Sequence, residues 1–172
     1  AAKRLKFLKE LSTLDPKELV YLDESGFDPG LQRPYARSKR GKKVMGQQSG
    51  KFRKRVSVVA AYCQNKFIAP MTFEGYCNTV AFNAWLEKML LPKLKKGQTI
   101  ILDNASFHKS VKTKDLIESV GCKILFLPPY SPDFNPIEKA WANIKRIVRS
   151  KHKPNKNILT SINKAFNVPY YV

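Results

Sequence analysis

A chain of 172 residues, 43% of them hydrophobic, is large and apolar enough for one domain with a proper core, and its composition excludes a disordered basic tail. Thirty-two Lys and Arg against 13 Asp and Glu leave a net charge of +19, a field that costs stability by self-repulsion unless a polyanion neutralises it. With no long apolar run and no basic amphipathic anchor, nucleic acid ranks ahead of an anionic membrane as that polyanion.

Taken in order, the chain opens on AAKRLKFLKELSTLD, a basic stretch that reads as part of a helix or as the end of an N-terminal linker over residues 1–18. Its abrupt start implies that more chain precedes it. LVYLDES then predicts a strand over Leu19–Asp23, with Gly26, Pro29 and Gly30 turning the chain behind it. Residues 31–55 hold Arg33, Arg37, Lys39, Arg40, Lys42, Lys43, Lys51, Arg53, Lys54 and Arg55 and no acid. A solvated loop would tolerate them, but so dense a run better fits an arm that binds phosphates. GQQSGK at 46–51 is one residue short of a nucleotide phosphate loop, and Phe52 stands where a hydroxyl is required, so that reading is discarded.

VSVVAAYC (56–63) and KFIAPMTF (66–73) flank Gln64-Asn65 as an antiparallel hairpin. Helical spacing follows over Asn78–Leu91, ended by Pro92, then a strand TIILD (99–103), a helix over 111–120 and a strand CKILFL (122–127). Pro128, Pro129 and Pro132, with Pro136 just beyond, make 127–135 a stiff connector. Asn135 as N-cap, Pro136 at the first helical position and Glu138 at the third start a helix over 136–150. Ile137, Trp141, Ile144 and Val148 share its core stripe, while Glu138 lies in line with Ala142, Lys145 and Arg149. A last helix is predicted near Asn157–Phe166. No repeat or domain linker interrupts the series, which describes an α/β sandwich with a mixed sheet. Cys63, Cys77 and Cys122 form neither a C-x-x-C pair nor a zinc spacing with His108 or His152, and no signal peptide is visible, which fits reduced thiols inside a cell.

Asp23 and Asp103 each close an apolar strand. If those strands lie side by side and parallel, both carboxylates emerge at one sheet edge. A lone aspartate there is ordinarily a turn residue, and Glu138 could simply close a capping box with Asn135. Three carboxylates gathered in so basic a protein would repel one another unless a cation sat among them, and oxygen-only ligation favours Mg²⁺ or Mn²⁺. Such ions activate water or a hydroxyl at a phosphodiester.

DES at 23–25, DNASFHK at 103–109 and YSPDFNPIEKAW at 130–141 together resemble the DDE transposases of the IS630/Tc1/mariner superfamily. Thirty-four residues separate Asp103 from Glu138, as in the family's DD34E branches. The resemblance runs from about residue 19 to 150. It implies a ribonuclease H-like fold with a mixed five-stranded sheet and helices on both faces, over residues 19–172. It further implies that Asp23, Asp103 and Glu138 are catalytic metal ligands, ionised where they hold two Mg²⁺ or Mn²⁺ ions. The reaction implied is cut-and-paste transposition: hydrolysis at the transposon end, then attack of the freed 3′-hydroxyl on target DNA, typically at TA. The implied partners are terminal inverted repeats, target DNA and a second copy on paired ends. The implied setting is the cytoplasm or nucleoid of a prokaryote, or a nucleus.

Around this centre, Arg33, Arg37, Lys39, Arg40, Lys42, Lys43, Arg53, Lys54, Arg55, Lys145 and Arg149 are the candidate DNA contacts. His108 is a further candidate, although capping of the next helix is the simpler role for it. Glu24 should face away from Asp23; Asn104 fits a turn, a support for Asp103 or a DNA contact. Asp133, the rival third acid, fits a turn, and Tyr130 and Trp141 read as packing groups. The helix-turn-helix modules of full-length family members are not seen in this chain, so its catalysis alone should be weak and poorly sequence-specific. A non-catalytic DNA-binding relative and a ribonuclease H-like nuclease are the alternatives.

Overall fold

A computed structural model describes residues 2–28, 37–43, 45, 55–152 and 157–166, the Phe107 side chain excepted. Five strands form one sheet in the order β3-β2-β1-β4-β5: β1 (Leu19–Phe27), β2 (Val56–Cys63), β3 (Lys66–Glu74), β4 (Thr99–Leu102) and β5 (Lys123–Phe126). β1, β2 and β3 are antiparallel neighbours, whereas β1, β4 and β5 run parallel, so the sheet is mixed as expected. Gln64 and Asn65 take φ values of 48° and 62°, the left-handed pair that a tight two-residue hairpin needs between β2 and β3.

The helices are α1 (Ala2–Leu11), α2 (Thr79–Trp85), α3 (Val111–Ser119), α4 (Ile137–Lys151) and α5 (Ile158–Phe166). α2 is capped by the Asn78 side chain and continues into a π-helical turn over Leu86–Leu90 before Pro92. One face of the sheet buries Val20, Leu22, Ile100 and Leu102 against Phe82, Trp85, Leu86, Leu90 and Ile117. The opposite face presents Phe27, Val58 and Ala60 to Ile137, Trp141, Ile144 and Val148 of α4 and to Ile158 and Ile162 of α5. That α4 stripe is the one read from the sequence. Cys63 and Cys122 are buried, Cys77 is half-buried, and all three are free thiols. Among the described residues no helix is long and apolar enough to cross a membrane.

Two expectations need correction. β1 does not stop at Asp23 but continues to Phe27, because β2 supplies partners as far as Phe27↔Val56. Gly26 is therefore a strand residue rather than a turn; the Arg55 guanidinium lies where its Cβ would be. The opening stretch is also more than a tether. α1 inserts Phe7 among Leu19, Ile101, Leu125 and Leu127, and stacks it on Phe134 with ring centroids 5.6 Å apart.

Phe7→Ala should therefore lower unfolding free energy by about 3 kcal/mol in urea titrations, the usual cost of emptying a buried aromatic site. Leu5→Ala, on the exposed side of α1, should stay within about 0.5 kcal/mol of the parent.

Candidate active site

The site begins with strand register. Leu19, Val20 and Tyr21 of β1 pair with Thr99, Ile100 and Ile101 of β4, and the same offset carried two residues onward sets Asp23 level with Asp103. Strand alternation gives both the face of Tyr21 and Ile101, and leaves Glu24 on the opposite one. α4 crosses that first face. Its Trp141 ring meets Phe27 edge-on at 6.5 Å, and its Nε1–H donates to Asp23 Oδ2 at 3.2 Å. Glu138, three residues earlier on the exposed side of the same helix, comes to the same place. Asp23, Asp103 and Glu138 all line one open cleft of about 410 Å³, together with Asn104, the connector 127–132 and Asn135.

The two aspartates sit in different electrostatic surroundings. Asp23 is largely enclosed by the sheet and α4, and burial together with the charges of Glu138 and Asp103 pushes its carboxyl up to about 7. Hydrogen bonds from the Glu24 backbone N–H (2.8 Å) and from Trp141 oppose that rise. Asp103 is held below the usual carboxylate range, first by His108 and also by the Ala105 backbone N–H at 2.9 Å. His108 Nδ1–H donates to Asp103 Oδ1 at 2.6 Å.

His108 is only 3% exposed, with its ring against Phe82 at 4.5 Å, so it has no surface to offer a DNA backbone. Nor does it cap α3, a role taken by Ser110, whose Oγ accepts the Thr113 N–H. Both sequence readings of His108 are corrected: what it holds is Asp103.

The connector is tied down from two sides. Asn104 Nδ2 donates to the Leu127 carbonyl, which gives Asn104 a supporting role at the cleft wall. Arg4 of α1 donates to Ser131 Oγ and to Asp133 Oδ1, both at 3.0 Å, and covers the Phe134 ring at 4.3 Å. Asp133 is thus engaged with Arg4 in the turn Pro132–Phe134 and does not line the cleft. Asn135 has extended backbone ahead of the helical Pro136, as an N-cap should, but it makes no side-chain capping bond. Its Oδ1 is instead buried with no hydrogen-bond partner among the described residues. Tyr130, expected to pack, is 99% exposed. Trp141 does pack, but it also serves Asp23.

The cations divide into three groups. Arg37, Lys39, Arg40, Lys42 and Lys43 are exposed and line no part of the cleft. Arg55 lies over Gly26 and stacks on Tyr76 at 4.9 Å, beside the strand that carries Asp23. Lys145 reaches over Phe27 at 5.8 Å, with Arg149 exposed one turn further on. Arg33, Arg53 and Lys54 lie outside the described residues.

Among the described residues, no three His, Cys, Asp or Glu groups stand close enough to share one ion as their side chains are posed. The donor chemistry nevertheless fits a hard divalent cation: three carboxylates on one cleft, with the uncommitted Asn135 oxygen beside them.

The family profile described as "DDE superfamily endonuclease" matches residues 18–159. The Tc3 transposable-element transposase of Caenorhabditis elegans is 28% identical over 158 residues, covering 88% of this chain and 48% of the relative, so the chain spans about half that protein's length. Among solved structures, the Mos1 transposase paired-end complex with left transposon end superposes with a TM-score of 0.64 at 14% identity, covering 95% of this chain and 56% of that one. The catalytic core domain of BIV integrase does so with a TM-score of 0.54 at 11% identity, covering 87% and 81%. These likenesses establish a ribonuclease H-like fold.

The raised Asp23 carboxyl has a consequence for stability. The folded chain holds its proton from about pH 4 to about pH 7 while the unfolded chain has released it, so stability from this group is full at acid pH and is lost as pH rises through 7. In metal-free buffer the parent should lose more thermal stability between pH 5 and pH 8 than Asp23→Asn does. Equal losses in the two proteins would place the Asp23 carboxyl back in the ordinary range.

Proposed function

The chain belongs to the DDE superfamily endonucleases and is of Tc1/mariner type, and on that footing we propose that residues 19–172 act as the catalytic domain of a DNA transposase. The observation that carries this reading is the convergence of Asp23, Asp103 and Glu138 on one cleft in a chain of net charge +19. The reaction is hydrolysis of a phosphodiester at the element's end, which releases a 3′-hydroxyl. That hydroxyl then attacks a target phosphodiester, with TA the expected target, and the joining P–O bond forms as the target strand's own 3′-oxygen leaves, in a cut-and-paste sequence.

Asp23, Asp103 and Glu138 would hold Mg²⁺ or Mn²⁺, two ions in this reading. Bound there, the metal supplies Lewis-acid activation of the attacking oxygen and neutralises charge at the leaving oxygen. The chain's own groups do the rest. His108 fixes the rotamer of Asp103 and keeps it ionised; the Trp141 N–H and the Glu24 backbone N–H fix Asp23. The parallel register of β1 and β4 sets the aspartates level, and the seating of α4 places Glu138 across from them. Lys145, Arg149 and Arg55 are the described cations we assign to phosphates of a bound strand, and the basic residues of 31–55 are assigned the same role from the sequence. Binding to terminal inverted repeats, pairing of two copies on two ends, and action in a nucleoid or nucleus all follow from the same reading.

Asp23→Ala, Asp103→Ala and Glu138→Ala should each abolish Mg²⁺- or Mn²⁺-dependent nicking and strand transfer on a pre-cut duplex while keeping the parent's circular dichroism. Cleavage without joining would identify a nuclease instead. Salt-sensitive DNA binding with neither step would identify a non-catalytic binding domain. His108→Ala should leave about 1–10% of the parent rate, as removal of a ligand's support usually does. Lys145→Ala and Arg149→Ala should each reduce the slope of log binding constant against log salt by about 1.

A further inference from the structure

His108 reaches Asp103 from a short segment, and two residues beyond it the chain enters α3 through Ser110. What fixes that entry is polar. Thr113 and Ile117 are the buried side chains of α3; Ile117 lies a turn further along, and Val111 is 76% exposed. No apolar side chain therefore seats the first turn, and the wholly enclosed Thr113 does so with a hydroxyl. Thr113 Oγ1 donates to Asn83 Oδ1 of α2 at 2.7 Å, and Asn83 Nδ2 donates to Ser110 Oγ at 3.3 Å. The third side of this triangle, between the Ser110 and Thr113 hydroxyls, is 2.7 Å.

With the Asn83 amide so oriented, Thr113 gives its one hydroxyl proton to Asn83. The Ser110 hydroxyl must then donate to Thr113, and it accepts from Asn83 and from the Thr113 backbone N–H at 3.1 Å. Each hydroxyl gives one hydrogen bond and takes at least one. α2 is a firm base for this triangle. Its Trp85 Nε1–H donates to the Ala69 carbonyl of β3 at 2.7 Å inside the core, and Phe82, next to Asn83, lies against the His108 ring. Consecutive residues of one anchored helix therefore hold the His108 ring and the Ser110 hydroxyl, the two ends of a three-residue span. Hydrogen bonds fix direction as well as distance, which an apolar contact does not.

We propose that Asn83 and Thr113 are positioning residues for the metal site: through Ser110 they hold His108 in the pose that supports Asp103. This rests on the transposase reading above and carries the support of the Asp103 carboxylate back to α2 and α3.

The test uses the whole chain, with Mn²⁺ binding followed by electron paramagnetic resonance and the His108 Nδ1–H proton by NMR in metal-free buffer. A bond of 2.6 Å to a carboxylate should place that proton far downfield in the parent. Thr113→Val keeps the side chain's shape and removes its hydroxyl. It should raise the Mn²⁺ Kd about 3- to 10-fold, short of the roughly 10- to 100-fold that follows loss of a ligand's direct support. The His108 proton should leave its downfield position in the same variant. Thr113→Ser should keep both parent values. Asn83→Ala, a milder change that leaves the two hydroxyls bonded to each other, should move both readouts as Thr113→Val does, and it decides the matter where Thr113→Val does not fold. In a His108→Ala background, Thr113→Val should weaken Mn²⁺ binding no further, because the route to Asp103 is already cut. Variants that melt earlier yet bind Mn²⁺ as the parent does, with the His108 proton unmoved, would overturn the positioning role and leave the transposase reading intact. Equal losses with and without His108 would overturn the route through it. A parent that binds no Mn²⁺ would overturn the metal reading and this role together.

Discussion

The parallel pairing of β1 with β4 is the constraint on which the rest of the molecule depends. Leu19 opposite Thr99 is enough to bring residues 23 and 103, eighty positions apart in sequence, to the same height on the same face. A slip of one residue would turn one carboxylate into the opposite core. Slippage is resisted because Val20, Leu22, Ile100 and Leu102 are all fully buried on that opposite side, and a shift would exchange them for Tyr21, Asp23 and Ile101. Apolar burial, not attraction among polar groups, therefore assembles a cluster of charges that repel one another.

The second constraint is the seating of α4. Phe27, Trp141 and the neighbouring Phe67 and Phe166 rings form one aromatic stack between sheet and helices, with Phe67 and Trp141 centroids 4.8 Å apart. Trp141 gives this stack a polar edge, its indole N–H resting on Asp23. Packing and site electrostatics thus meet in one side chain. Enclosure by that stack raises the Asp23 carboxyl, while His108 and a turn N–H lower that of Asp103, so two chemically identical groups at one level differ in proton affinity.

Much of this was legible in the sequence because it rests on periodicity. The apolar runs at 19–23 and 99–103, the 56–73 hairpin and the stripe Ile137, Trp141, Ile144, Val148 all appear where pattern places them. The conditional reading that parallel neighbouring strands would bring two acids to one edge needed only adjacency, which β1 and β4 supply. Illegible were features set by tertiary contact. The extension of β1 to Phe27 depends on the partner β2 offers, and the docking of Phe7 depends on a niche built from four distant segments. His108 carried no mark of burial, and Tyr130, in a proline-rich run, no mark of exposure; each contact depends on where a turn happens to aim a ring. Asn135 had the right residue type for a helix cap and kept the backbone of one, yet its side chain was not used for it.

Arg4 grips the connector through Asp133 and Ser131 and lies flat on Phe134, while Phe7 pins the same helix to the sheet. α1 and the segment 131–135 are consequently geared to one another. Three residues beyond Pro132 and its turn the chain becomes the first turn of α4, so the stretch of chain that leads into Glu138 is one that α1 holds in place.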